Sequence, residues 1–89
     1  MTEVRIPTIL RPFTGGSKTV EGSGDTLAGL LADLDSRYPG LAERLIENDA
    51  LRRFVNVYLN DEDVRFLDGL KTPVTATDSV TILPAVAGG

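Results

Sequence analysis

Leucine recurs at positions 27, 30, 31 and 34, and Tyr38 continues the series eleven residues after its start. That spacing puts all five side chains on one face and predicts a single amphipathic helix over 27–38. Ser23-Gly24-Asp25-Thr26 stands before it, where an oxygen of Asp25 or Thr26 can accept from an orphan N–H of the first turn. Pro39-Gly40 ends it, and 41–46 reads as one or two further helical turns. Elsewhere the apolar positions alternate. Val4 and Ile6 do so within 4–10, and Val80 and Ile82 within 79–83. In 54–59, Val55, Val57 and Leu59 share a face opposite Phe54, Asn56 and Tyr58. Such alternation predicts half-buried strands. Two shorter strands, 18–21 and 64–66, are marked off by turn signals at Thr14-Gly15-Gly16-Ser17, Asn60-Asp61-Glu62-Asp63 and Asp68-Gly69. The stretch 47–53 reads as irregular. Pro7 cannot donate to a strand ladder, so the first strand is expected to bulge or stop there.

The predicted order is strand, strand, helix, short helix, then three strands. One helix packed on one face of a mixed sheet makes a two-layer α+β domain. The order resembles the β-grasp, or ubiquitin-like, fold, in which the first and last strands lie side by side in mid-sheet. Residues 1–83 are expected to form this domain and 84–89 a flexible C-terminal tail.

Composition narrows function mainly by what is missing. The 89 residues include neither Cys nor His. That removes thiolate chemistry, disulfides and the commonest general base and metal ligand. Ser and Thr hydroxyls remain, with Lys18 and Lys71, but no imidazole to activate them. An independent enzyme is not expected. The acids of 61–63 lack the spacing and central glycine of a calcium loop, so no metal site is assigned. Net charge is −4 and the basic residues are scattered along the sequence, which argues against a nucleic-acid partner. The pair Arg52-Arg53 reads as a solvated strand entrance. No basic segment followed by an apolar core opens the chain, and no apolar run approaches about 18 residues. A cytoplasmic protein without membrane association is the expectation.

The end of the sequence, Ile82-Leu83-Pro84-Ala85-Val86-Ala87-Gly88-Gly89, adds the chemistry. Together with Ser23-Gly24-Asp25-Thr26-Leu27, the run 54–65 and Gly69-Leu70, it resembles the sulfur-carrier family of ThiS, MoaD and CysO types. The opening Ile6-Pro7-Thr8-Ile9-Leu10-Arg11-Pro12 with Thr14-Gly15-Gly16 looks most like the actinobacterial CysO branch. Many members carry Asp-Gly-Asp before the last strand. Here Ala76-Thr77-Asp78 stands instead, a departure in a turn and not in the tail.

The resemblance implies that Gly89 carries the chemistry on its own carboxylate. A ThiF/MoeB-like adenylating enzyme, using ATP and Mg, would form an acyl-adenylate there. Sulfide or a persulfide would displace AMP and leave a thiocarboxylate, with no cofactor bound by this chain. The CysO likeness further implies a pyridoxal-phosphate cysteine synthase that accepts the sulfur and a metalloprotease that releases the product. The same tail would serve a molybdopterin precursor, a thiamin thiazole or a sulfur-containing natural product, or join a ubiquitin-like modifier to lysines.

Physical chemistry accounts for each tail residue. An ionised carboxylate, with a free pKa of about 3.5, is a poor electrophile and needs a leaving group. Pro84, lacking an N–H, is expected to end the strand and direct the tail outward. Ala85 and Ala87 are small, and Gly88 and Gly89 lack Cβ, so the tail is thin enough to thread a channel. Val86 alone is bulky, and its burial contributes at most about 1.5–3 kcal/mol. Leu83 and Phe66 are the candidates for a docking surface on the exposed sheet face near the tail root, with burial in the core as their alternative.

Overall fold

The structure, a computed structural model, describes residues 1–48, 50–52 and 55–84. Among the described residues, seven strands and two α-helices follow in chain order. They are β1 (Thr2–Arg5), β2 (Thr19–Gly22), α1 (Leu27–Arg37), α2 (Leu41–Leu45), β3 (Ile46–Glu47), β4 (Ala50–Leu51), β5 (Val55–Leu59), β6 (Glu62–Asp63) and β7 (Ser79–Pro84).

The leucine stripe builds α1 as its period demands. Leu27, Leu30, Leu31 and Leu34 are buried, while Tyr38 is half-buried at the core's edge. Thr26, not Asp25, supplies the cap: its hydroxyl accepts from the Gly29 N–H at 3.2 Å. Thr72 and Asp25 then stitch the helix start to the loop after the 3-10 turn Gly69–Lys71, through Leu27 N–H to Thr72 O (2.9 Å) and Val74 N–H to Asp25 O (3.0 Å). Gly40, at φ 93°, makes the reversal into α2, where any other residue would be strained.

The main sheet has the order β2-β1-β7-β5-β6. β1 runs antiparallel to β2 and parallel to β7, and β7 runs antiparallel to β5, so the sheet is mixed. The first and last strands meet in the interior, with Val4 opposite Val80. Val57 faces Ile82, Leu59 faces Val80, and these side chains with Val20 close the core under α1. This is the two-layer α+β arrangement expected from the element order.

Four local expectations need correction. The first strand ends early, as expected around Pro7, stopping at Arg5, but the strand reading of residues 8–10 does not hold, because Thr8–Thr14 forms a 3-10 segment. One more ladder bond, Ile6 N–H to Lys18 O at 2.8 Å, is made before Pro7 turns the chain. Val64–Phe66 is likewise a 3-10 turn, and the paired strand is Glu62–Asp63. Its cause is local: an Asp63 carboxylate oxygen accepts from the Arg65 N–H at 2.8 Å, and an aspartate cap of this kind draws the backbone out of extended geometry. The stretch read as irregular contains the β3–β4 hairpin, Ile46 opposite Leu51. Finally, β7 continues through Pro84, opposite Val55, one residue beyond the expected stop. Proline forfeits only its N–H, and its φ suits an extended strand end.

Two carboxylates are held in their charged form. Asp33 titrates below the ordinary carboxylate range because it accepts from the Ser23 N–H, and then because it pairs with Arg37. Asp78 is lowered by the Asn60 side-chain amide and by the Thr75 N–H. A depressed folded pKa stabilises the protein above the unfolded value and loses that contribution as pH falls through the folded value. Stability is therefore expected to be insensitive to these two groups from pH 7 to about 5, and to fall below about pH 4. Asp78→Asn should flatten that acid slope in urea titrations; an unchanged slope in this variant would contradict the assignment.

Candidate functional site

β7 is the strand that leads to the tail, and it is flanked on both sides. Val80 and Ile82 enter the core, so Thr81 and Leu83 take the opposite face. Leu83 is 45% exposed there, with Asn56 beside it on β5. Thr81 lies between Arg5 on β1 and Tyr58 on β5. Phe66 is 84% exposed, which removes it from the core, but it stands on the 3-10 turn and not on the sheet. Pro84 is the last described residue. Ala85, Val86, Ala87, Gly88 and Gly89 lie outside the described residues.

Arg65 builds the tail root, and sequence reasoning missed it by placing it in a strand. Its guanidinium donates to the Asn56 amide oxygen at 2.6 Å, to Arg52 O at 2.8 Å and to Val55 O at 2.6 Å. Val55 and Asn56 are the residues against which Pro84 and Leu83 pair. One side chain thus holds the start of β5 in place for the end of β7, and tethers the turn that carries Phe66 beside it. Five donors in a rigid fork suit an arginine to this task, where a lysine would make single bonds. The only signal in the sequence was the Asp63-x-Arg65 spacing of a capped turn.

The tail has limited reach. Gly89 is five residues past Pro84, so an extended tail spans at most about 17 Å. Among the described residues no group of three or more His, Cys, Asp or Glu could hold a metal ion. No helix among them is long and apolar enough to cross a membrane. The described residues offer a strand held between β1 and β5, with an exposed leucine near its end and an exposed phenylalanine on the turn that Arg65 tethers.

Comparison with known proteins bears on what this arrangement serves. A sulfur carrier protein CysO of Mycobacterium tuberculosis (strain ATCC 25618 / H37Rv) is 60% identical over 89 residues, covering 97% of this chain and 96% of that protein. The crystal structure of Mycobacterium tuberculosis CysO, described as an antigen, superposes with a TM-score of 0.92 at 56% identity, covering 97% of this chain and all of that one. The CysO chain in the crystal structure of the Amycolatopsis orientalis BexX/CysO complex gives 0.95 at 53% identity, with both chains fully covered. The ThiS family pattern spans residues 4–89, from the first strand through both terminal glycines, and the chain belongs to the ThiS family.

Proposed function

We propose that this protein is a sulfur carrier that works as a recycled co-substrate, its reactive atom being the C-terminal carboxyl carbon of Gly89. A partner enzyme with ATP and Mg performs the activation. A Gly89 carboxylate oxygen attacks the α-phosphorus of ATP, and pyrophosphate leaves with the broken P–O bond's electron pair. Hydrosulfide then attacks the carbonyl carbon of the acyl-adenylate, and AMP departs as the C–O bond breaks. Loss of the sulfur's proton leaves a thiocarboxylate. The chain supplies presentation: a strand fixed by β1 and β5, a root held by Arg65, and a thin tail of Ala85, Val86, Ala87, Gly88 and Gly89.

The sulfur is destined for cysteine, accepted at a pyridoxal-phosphate synthase, with a metalloprotease hydrolysing the product from Gly89 and restoring the carboxylate. This takes place in the cytoplasm, where ATP is at hand. Leu83 and Phe66 are the residues proposed to meet the partner at the tail root, with Pro84 leading into its channel. The single observation that carries the reading is the 60% identity to a sulfur carrier over nearly the whole of both chains.

The test is intact-mass spectrometry after incubation with ATP, Mg, sulfide and an activating enzyme of the same organism. The expected product is heavier by the exchange of one oxygen for sulfur, and fragmentation places the change on Gly89. An unchanged mass with an enzyme that converts another carrier would overturn the proposal. So would recovery of Gly89 from cells chiefly in isopeptide bonds to lysines of many proteins.

A further inference from the structure

Basic residues that are scattered in the sequence converge in the fold. An open groove of about 740 Å³ runs beside the end of β7, lined by Arg5, Arg11 and Lys18 together with the exposed Ile9 and Leu83. Arg5 pairs in register with Thr81, Lys18 O receives the Ile6 N–H, and the Arg11 Nε–H donates to Ile6 O at 3.2 Å. The one carboxylate lining the groove, Glu3, is 3.8 Å from Arg5, so the groove keeps an excess of positive charge. Arg65 flanks the same strand end from the β5 side.

Acids gather at the other end of β7. Asp78 immediately precedes the strand and bonds Asn60 at 2.9 Å, and Glu62 opens β6 nearby, while Asp61 in the turn lines a shallow hollow with Tyr58, Thr81 and Leu83. Asp25 is tied to the same end through Val74. The molecule carries a net −4 overall, yet its tail emerges from a cationic end.

We infer that the groove of Arg5, Arg11 and Lys18 is a docking collar for an acidic rim around the tail channel of the activating partner. The inference rests on the carrier reading and adds the surface that recognises the partner. Tail length separates the two jobs. With Gly89 at most about 17 Å beyond Pro84, the collar meets the mouth of the channel while the carboxylate reacts within it.

Charge complementarity supplies the occupant. A net-negative protein approaching an acidic surface is repelled unless its field is polarised, and here the positive end is the one that must arrive first. Electrostatic contacts at a rim raise the association rate more than the lifetime of the complex. That suits a carrier whose tail has one bulky side chain and which must leave after every turnover.

The experiment measures sulfur loading by the activating enzyme as a function of carrier concentration. It compares the wild type, the double variant Arg5→Gln/Lys18→Gln, and a control of equal net charge, Ala28→Glu/Ser36→Glu, on the exposed face of α1. At low salt the double variant is expected to raise KM about 3- to 10-fold, with kcat within about twofold. The difference should close at about 0.5 M salt, where screening is complete within a few ångströms. The control should stay near the wild-type KM. Either single substitution should show part of the effect, which guards against a folding defect in the double variant.

An equal rise in the control would reduce the effect to net charge and overturn the collar. Faster loading in the double variant would mean that the chain's own terminal carboxylate occupies the groove. Self-association of the wild type, lost in the variant, would assign the groove to a second copy. An unchanged KM alongside normal wild-type loading would overturn the collar alone. No loading of the wild type would overturn the carrier reading and the collar with it.

Discussion

One alanine added after Gly89 is expected to abolish sulfur loading while leaving the unfolding midpoint unchanged. In the proposed carrier chemistry the reacting carbon is the terminal carboxyl of Gly89, with an oxygen free to attack ATP. After the addition it is a peptide carbonyl, and no leaving group can be installed on it. A new carboxylate does exist on the added residue, but it lies about 3.6 Å further along and carries a methyl group on its α-carbon. Misplacement by about 1 Å from reactive geometry already costs about 10²-fold in rate. Stability should not respond, since the buried core lies between Thr2 and Ile82. Intact mass after incubation with the activating enzyme reads the first quantity, and thermal unfolding the second. Sulfur found on the added alanine at near the native rate would show that any terminal carboxylate suffices, and the role given to Gly89 would fall.

The largest effect on stability is expected from Leu30→Ala, at about 2–5 kcal/mol. A domain of this length has roughly 4–13 kcal/mol in total, so the variant would sit near the edge of folding. Leu30 has no exposed surface. Its side chain packs where Gly22 leaves room, since a Cβ there would come within 2.7 Å of a Leu30 methyl, while Gly24 lets the chain pass against the helix backbone, where a Cβ would come within 2.7 Å of the Gly29 carbonyl carbon. Neither glycine has a side chain that could swing into the space left by the leucine. The cavity would stay open, which places the cost toward the upper part of the range. Urea unfolding measures it, and a loss under about 1 kcal/mol would mean that β2 closes onto the helix.

The helix was legible because five apolar positions at a period of 3.6 admit no other reading. The central strands were legible for the same reason at a period of two. Expectation failed where elements are shorter than a period can register. β3 and β4 have two residues each, and the Val64–Phe66 turn reads as strand until the Asp63 cap is seen.

The site divided along similar lines. The terminal glycines, the site proposed for the chemistry, are conspicuous in the sequence because the proposed reaction uses the main chain itself and needs no arrangement of side chains. Arg65 was not, since its three acceptors include two backbone carbonyls that no pattern of side chains betrays. Nor was the collar: Arg5, Arg11 and Lys18 become neighbours only when β1 and β2 pair and Pro7 turns the chain.

The parallel pairing of β1 with β7 has a consequence for synthesis. Val4 can pair with Val20 early, but its partner on the other side is Val80, so the middle of the sheet cannot close until Ser79–Pro84 has left the ribosome. Contacts so distant in sequence also make the closing of the sheet slow compared with the formation of α1. A chain that terminates early, or is cut before Ser79, loses its central strand together with its tail. Such fragments would lack both the assembled sheet and the tail that the proposed partner is expected to engage.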